Sequence, residues 1–430
     1  MNMTIETRKI GARSSQSARG LRLGGLALAC LAAVSGAAAA QTTEVVLHNF
    51  CSLTNCADGA QPLGVIRDSE GNLYGGTLAG GAHGKGVVYK LAPSGQETVL
   101  YNFCSLGADL CTDGWAASVS VIDSEGNLYG TAGFGGAHNV GAVYELTDSG
   151  NETVLHSFCS FTNCADGSAP GGGLIRDSDG NLYGTTLYGG ASSNGSGVTS
   201  GAGVLYKLTA SGQETVLHNF CSLADCADGA LPSGSLVLDS EGNLYGTTID
   251  GGPNGGVSSG SGVVYKVDTS GSETVLCSFG SASCPDGANP NGGVILDSEG
   301  NLYGTTSKGG THGKGVVYKL APSGQETVLY NFCSLTNCAD GENPGPVIRD
   351  SAGNLYGTAS NGPKQNPGNG LVYELSTSGS ETVLCSFGSA SCPDGAHPDG
   401  GVVIDSEGNL YGATSNGGAK GGGIVFKLER

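Results

Sequence analysis

The sequence predicts an all-β fold, on three observations. One motif, DSEGNLYG, occurs letter for letter from Asp68, Asp123, Asp239, Asp297 and Asp405, with near copies from Asp177 and Asp350. Short runs rich in Val, Ile, Leu and Tyr alternate with Gly, Pro, Ser and Asn, as strands alternate with turns. Beyond residue 40 no stretch sustains the apolar period of a helix. Scattered at random, 78 Gly and 14 Pro in 430 residues would suggest low complexity. Recurring at fixed places, they mark a tandem repeat.

The Asn of the motif falls at 72, 127, 181, 243, 301, 354 and 409, so successive copies lie 53 to 62 residues apart. Each copy carries four strand-like pieces, which in the first are GVIRD (64–68), NLYGGT (72–77), GVVYKL (86–91) and ETVLYNF (97–103). DSEGN joins the first piece to the second. APSGQ or a relative (TDSGN, TASGQ, DTSGS, STSGS) joins the third to the fourth. Both connections are short and place Gly where a tight hairpin takes positive φ. The motif therefore reads as a turn entering a strand, and not as seven active sites; a calcium loop needs acidic residues at denser spacing.

Four antiparallel strands repeated seven times match a seven-bladed β-propeller. EVVLHNF (44–50) is a fourth strand with no blade before it, and the last third strand, GIVFKL (423–428), has no fourth strand after it. The expectation is a ring closed by the N-terminal strand joining the last blade. An open solenoid would need a cap at each end.

Residues 1–40 read as an export signal: a basic n-region (Arg8, Lys9, Arg13, Arg19, Arg22), an apolar stretch over 23–34, and three alanines at 38–40. Residues 41–430 are then one propeller domain of seven repeats of about 55 residues. Removing the leader's five basic residues and one acid from totals of 19 and 38 leaves 14 Lys and Arg against 37 Asp and Glu, a formal charge of −23. Such a surface repels phosphate backbones and anionic lipid, which argues against nucleic acid or a membrane as partner. Cys30 leaves with the signal. The other cysteines fall into seven close pairs, one per repeat: Cys51 and Cys56, Cys104 and Cys111, Cys159 and Cys164, Cys221 and Cys226, Cys277 and Cys284, Cys333 and Cys338, Cys385 and Cys392. Even, evenly spread cysteines in an exported chain predict disulfides and a periplasmic or extracellular address. Two thiols per repeat are too few for a structural zinc.

The succession ETVLHNF, DGAQP, DSEGNLYG, GG and GVVYKL resembles the Gloeo/Verruco (GloVer) tandem-repeat family of exported bacterial proteins, over essentially all of residues 43–430. The resemblance implies export but no particular activity. Members often carry a separate surface anchor, and no C-terminal hydrophobic tail is seen here. The D..GNLY turn is also similar to that of propeller lactonases and lyases.

A catalytic site is one constellation, so residues that every repeat needs are poor candidates for it. The second-strand tyrosines, the third-strand aromatics and the fourth-strand phenylalanines recur in each copy and are expected to pack blade against blade. The remainder includes Trp115, Phe134, Phe161 and Tyr188. Phe134 and Tyr188 stand in the loop after the second strand, where other copies place Ala79, Asp250, Lys308, Asn361 and Asn416. The same loop holds the insertions at 191–203, 253–262 and 363–369. In a propeller these loops and the blade-to-blade loops emerge on one face, here variable, disulfide-braced and acidic through Asp58, Asp113, Asp166, Asp228, Asp286, Asp340 and Asp394. Scaffolds bind through such loops; the seven Asp are expected to cap their own turns. His48, His156 and His218 share one fourth-strand position with Tyr101, Tyr330, Cys277 and Cys385 and read as structural. His83, His138, His312 and His397 belong to separate blades. Arg67, Arg176 and Arg349 share a first-strand position and read as solvated or paired.

No Ser/His/Asp grouping, phosphate loop or redox CxxC stands outside the repeat. The expectation is a monomeric exported binding or scaffolding module without cofactor or stable membrane insertion. It would recognise a carbohydrate or envelope component through Trp115, Phe134, Tyr188, Asp250, Lys308, Asn361 and Asn416. The alternatives are a metal-dependent lactonase-like hydrolase or lyase with its site at the channel mouth, and a purely structural surface protein.

Overall fold

The computed structural model describes residues 42–106, 110–191, 201–253, 256–363 and 368–430. The expected leader, and parts of the three insertions, lie outside them.

Seven four-stranded antiparallel sheets are arranged as the blades of a propeller. In blade 1 the strands run from the axis outward as Ala60–Arg67, Leu73–Ala79, Val87–Leu91 and Glu97–Asn102. Blades 2 to 6 repeat that order. Blade 7 pairs Val402–Ile404, Leu410–Thr414 and Ile424–Glu429 with Thr43–Asn49 as its outer strand. The pairing runs from Thr43 opposite Glu429 to Asn49 opposite Ile424 and passes over Leu47. Every other outer strand makes the same bulge, passing over Leu100, Leu155, Leu217, Leu276, Leu329 and Leu384. The closing strand therefore holds the register of a covalently continuous one, and the ring closes as expected.

The Gly of each NLYG lies under the aromatic of the third strand. A Cβ at Gly75 would stand 2.4 Å from the Tyr89 hydroxyl, and the other blades repeat this at 2.4 to 2.6 Å. The third strands are the buried layer: Val87, Val88 and Tyr89 are fully covered, as are their counterparts. Blades interlock through aromatic pairs, each joining the outer-strand Phe of one blade to the third-strand aromatic of the next. Phe50 meets Tyr89 at 5.0 Å, Phe220 meets Tyr265 at 4.9 Å, and Phe387 meets Phe426 at 5.2 Å, with four more between. Edge-to-face pairs of this kind contribute about 0.5–1.5 kcal/mol beyond burial.

The inner-strand arginines are paired. Arg67, Arg176 and Arg349 each lie 5.5 Å over the second-strand tyrosine of the preceding blade. In blade 7, whose inner strand carries Ile404 at that position, Arg430 covers Tyr356 at 4.9 Å and bonds Glu374 at 2.6 Å. Near the axis the inner strands approach backbone to backbone: a Cβ at Gly234 (φ +79°) would fall 2.1 Å from the Gly293 nitrogen. Only glycine fits there.

Candidate functional site

The repeated motif is consumed by its own turn. Asp68 Oδ1 accepts the Glu70 and Asn72 backbone N–H groups at 2.9 and 2.8 Å, and Oδ2 accepts Asn72 Nδ2 at 2.7 Å and the Tyr74 hydroxyl at 3.1 Å. The other six copies keep the Asn and Tyr bonds. Burial would raise these carboxyls, but the hydrogen bonds outweigh it and hold them below the usual carboxylate range.

The Asp of the blade-to-blade loops divides into two classes that the sequence did not separate. Asp58, Asp113, Asp166, Asp228 and Asp340 are fully buried. Asp166 accepts Ser160 N–H at 2.8 Å, Ser160 Oγ at 2.7 Å and Phe161 N–H at 3.3 Å, with His156 Nε2 at 3.3 Å. His48 and His218 stand 3.5 Å from Asp58 and Asp228, and the Tyr101 and Tyr330 hydroxyls donate to Asp113 and Asp340. In the remaining two blades that outer-strand position is Cys277 or Cys385, bridged to Cys284 or Cys392. The bridge takes the place of the His or Tyr, and Asp286 is exposed and Asp394 half-buried. The expected capping role therefore holds for five of the seven, and the face is less acidic than its sequence suggests. In the other five bridges both cysteines take φ of 47° to 64°. All seven disulfides pair as expected. Cys333, Cys338 and Glu342 lie close together, but the two sulfurs are bonded to each other.

The seven varied residues share one register. Phe134, Tyr188, Asp250 and Asn361 end their second strands, directly opposite Trp115, Ser168, Ala230 and Glu342 on the inner strands, and Ala79 faces Ala60 likewise. Phe134 and Tyr188 thus belong to the strand and not to the loop. Lys308 and Asn416 bridge Ala288 and Ala396 at the corresponding place. Trp115 and Phe134 stack at 4.3 Å and 19°, and Lys85 of the preceding blade lies 4.2 Å over the indole. The Trp is enclosed between the Lys and the Phe, which leaves Phe134, 48% exposed, as the open aromatic of the stack. Asp250 accepts Asn289 Nδ2 at 3.2 Å; burial raises its carboxyl, opposed by the charge of Lys308. Asn416 donates to Ser415 Oγ at 3.3 Å. His83, His138 and His312 are exposed in blades 1, 2 and 5, and His397 Nδ1 lies 3.2 Å from the Ser360 carbonyl.

Residues of blades 1 to 4 and 7, most of them on inner strands, line a half-open cavity of about 530 Å3 whose lining includes neither Trp115 nor Phe134. Ala116 and Gly133, neighbours of Trp115 and Phe134, form one wall; Ser118, Ser120, Thr131 and Ser235 add hydroxyls, and Asp399 is the one ionisable residue of the lining among the described residues. Sequence reasoning missed this lining, although a signal existed. Four residues beyond the DG pair, between a position usually held by Pro and the apolar core residues, the copies carry Leu63, Ser118, Gly171, Ser233, Asn291, Gly345 and Asp399. That position varies as freely as the loops.

The Gloeobacter/Verrucomicrobia repeat profile matches residues 35–257, 195–344 and 334–430. No curated protein matches in sequence. Among solved structures, the extracellular domain of a putative one-component system from B. thetaiotaomicron is similar with a TM-score of 0.53 at 12% identity, over 90% of this chain and 40% of that one. A gluconolactonase from Xanthomonas campestris is similar with a TM-score of 0.43 at 16% identity, over 75% of this chain and 87% of that one. At these identities the likeness concerns the fold alone.

Proposed function

The chain belongs to the Gloeobacter/Verrucomicrobia repeat family, and from that premise we propose that it is an exported binding module whose loop-bearing face takes a neutral carbohydrate of the cell envelope. Export is supported by seven disulfides, which persist in oxidising compartments. Among the described residues no helix is long and apolar enough to cross a membrane.

The observation that carries the reading is the half-exposed Phe134 ring, stacked on a Trp115 that Lys85 covers; the chain neighbours Gly133 and Ala116 line a hydroxyl-bearing cavity. A pre-organised aromatic face takes the apolar side of a sugar ring at little entropic cost. Serine and threonine hydroxyls suit its polar edge. Tyr188, at the same register of the next blade, adds a second aromatic, and Asp250 and Asn361 supply polar groups further round the ring. A metal-assisted hydrolase needs several converging donors, whereas the cavity wall offers one carboxylate.

The test is titration calorimetry of the mature protein against envelope glycans. Phe134→Ala with Tyr188→Ala should weaken binding about tenfold, on the order of 1.4 kcal/mol, at unchanged thermal stability. Undiminished affinity in the double variant would refute the assignment.

A further inference from the structure

Of the seven exposed large apolar residues among the described residues, all but Leu110 and Phe134 share one place in the repeat. Leu53, Leu106, Phe161, Leu223 and Leu335 are 52–56% exposed, and each stands two residues after the first cysteine of a blade-to-blade loop. They occupy one repeat position, so in a closed ring they project at similar height and radius. Each tip is rigid. The backbone N–H groups of Leu53, Phe161, Leu223 and Leu335 are held by the buried loop Asp at 3.1–3.3 Å, and a disulfide closes each loop. The two loops of the other class end in Ser281-Ala282-Ser283 and Ser389-Ala390-Ser391 and present no such residue. Single exposed hydrophobes are ordinary on protein surfaces, but five at one position on one face are not.

The chemistry around the tips selects the occupant. None of the five loops contains Lys or Arg. The Asp that recurs in these loops is buried, so apart from Asp225 the described tip residues are uncharged. Each tip belongs to a different blade and is flanked in its own loop by exposed, mostly polar residues, unlike the continuous apolar core of a protein interface. Separate coplanar apolar side chains suit a fluid planar boundary, which moulds around each of them. The acidity of the chain argues against anionic lipid and leaves a zwitterionic surface open.

We propose that Leu53, Leu106, Phe161, Leu223 and Leu335 seat the loop-bearing face on a zwitterionic lipid surface, entering the headgroup boundary while every strand stays outside it. This inference is independent of carbohydrate binding.

The test is co-sedimentation of the mature, oxidised protein with phosphatidylethanolamine/phosphatidylcholine vesicles, and with vesicles rich in phosphatidylglycerol. Wild type should pellet with the neutral vesicles and less with the anionic ones. Replacing all five residues by Ser should lower the partition coefficient by about tenfold or more, with intact circular dichroism. Should that variant fold poorly, Leu53→Ser with Leu223→Ser gives a smaller, measurable loss in a chain with three tips retained. Phe134→Ala with Tyr188→Ala should pellet as wild type, which separates this surface from the carbohydrate site. The inference is overturned if wild type ignores neutral vesicles, if the Ser variants pellet as wild type, if anionic vesicles bind better, or if wild type dimerises without lipid and the five-Ser variant does not. The last result would give the tips to a second copy of the chain.

Discussion

Replacing Asp166 by Ala should destabilise the propeller strongly, whereas the same change at Asp286 should leave it nearly untouched, although both residues are the D of a DG pair at the same repeat position. Asp166 is fully buried and accepts two backbone N–H groups and a serine hydroxyl, with His156 Nε2 3.3 Å away. Its removal orphans both N–H groups and leaves the His156 ring without its acidic neighbour, and a buried polar group left unsatisfied costs about 1–3 kcal/mol. Taking the lower end for each of the three, because the loop is partly wetted, gives about 3 kcal/mol. The Asp286 side chain is exposed, and surface changes of that kind fall within about 0.5 kcal/mol. With an unfolding entropy of about 2.1 cal/mol/K per residue, roughly 0.8 kcal/mol/K for a domain of this size, Tm should fall by about 4 °C in the first variant and by under 1 °C in the second. Differential scanning calorimetry under non-reducing conditions, with urea midpoints as a second measure, reads both. Equal losses in the two variants would refute the division of the loops into two classes.

Two further predictions concern the core and the blade junctions. Gly184→Ala places a methyl 2.5 Å from the Tyr206 hydroxyl and should cost about 1–3 kcal/mol by overpacking; the added variant Tyr206→Phe, which removes that oxygen, should recover part of the loss in urea titrations. Stability should also decline as pH rises from about 4.5 to 7. Glu44, Glu97, Glu152, Glu214, Glu273, Glu326 and Glu381 begin the seven outer strands, and burial, joined in each case by the charge of the neighbouring loop Asp, pushes their carboxyls up to about 7. The folded chain then holds protons that the unfolded chain releases in that window, so ionisation works against folding there. With these side chains partly solvated, a discounted contribution of about 0.5 kcal/mol each gives roughly 3–4 kcal/mol for the ring. Asp166 and Asp228 run the opposite way. Burial raises them but hydrogen bonds from His156 or His218 and from the loop outweigh it, so their contribution is lost only as pH falls below about 4. A urea midpoint that rises steadily from pH 5 to 8 would refute the Glu assignment, and Glu214→Gln should flatten part of the decline.

Much of the architecture was legible in the letters because a repeat states each local rule seven times. Strand periods, turn glycines, the Asp–Asn–Tyr turn and the paired cysteines are satisfied within one or two neighbouring segments, so spacing alone determines them. Ring closure was legible for the same reason, since an outer strand without a blade and a blade without an outer strand are complementary. Tertiary structure alone decided which side chains meet across blades. The sequence could single out Trp115 and Phe134 as unexplained by the repeat, but Lys85, 30 residues upstream, covers the Trp and leaves the Phe open. Likewise DG is the same pair of letters in every copy, yet a Cys in place of His or Tyr on the preceding outer strand decides whether its carboxylate is a buried anchor or a solvated charge. A local pattern encodes what the backbone near it must do; burial and charge depend on what the neighbouring blade brings, and that is set when the ring closes.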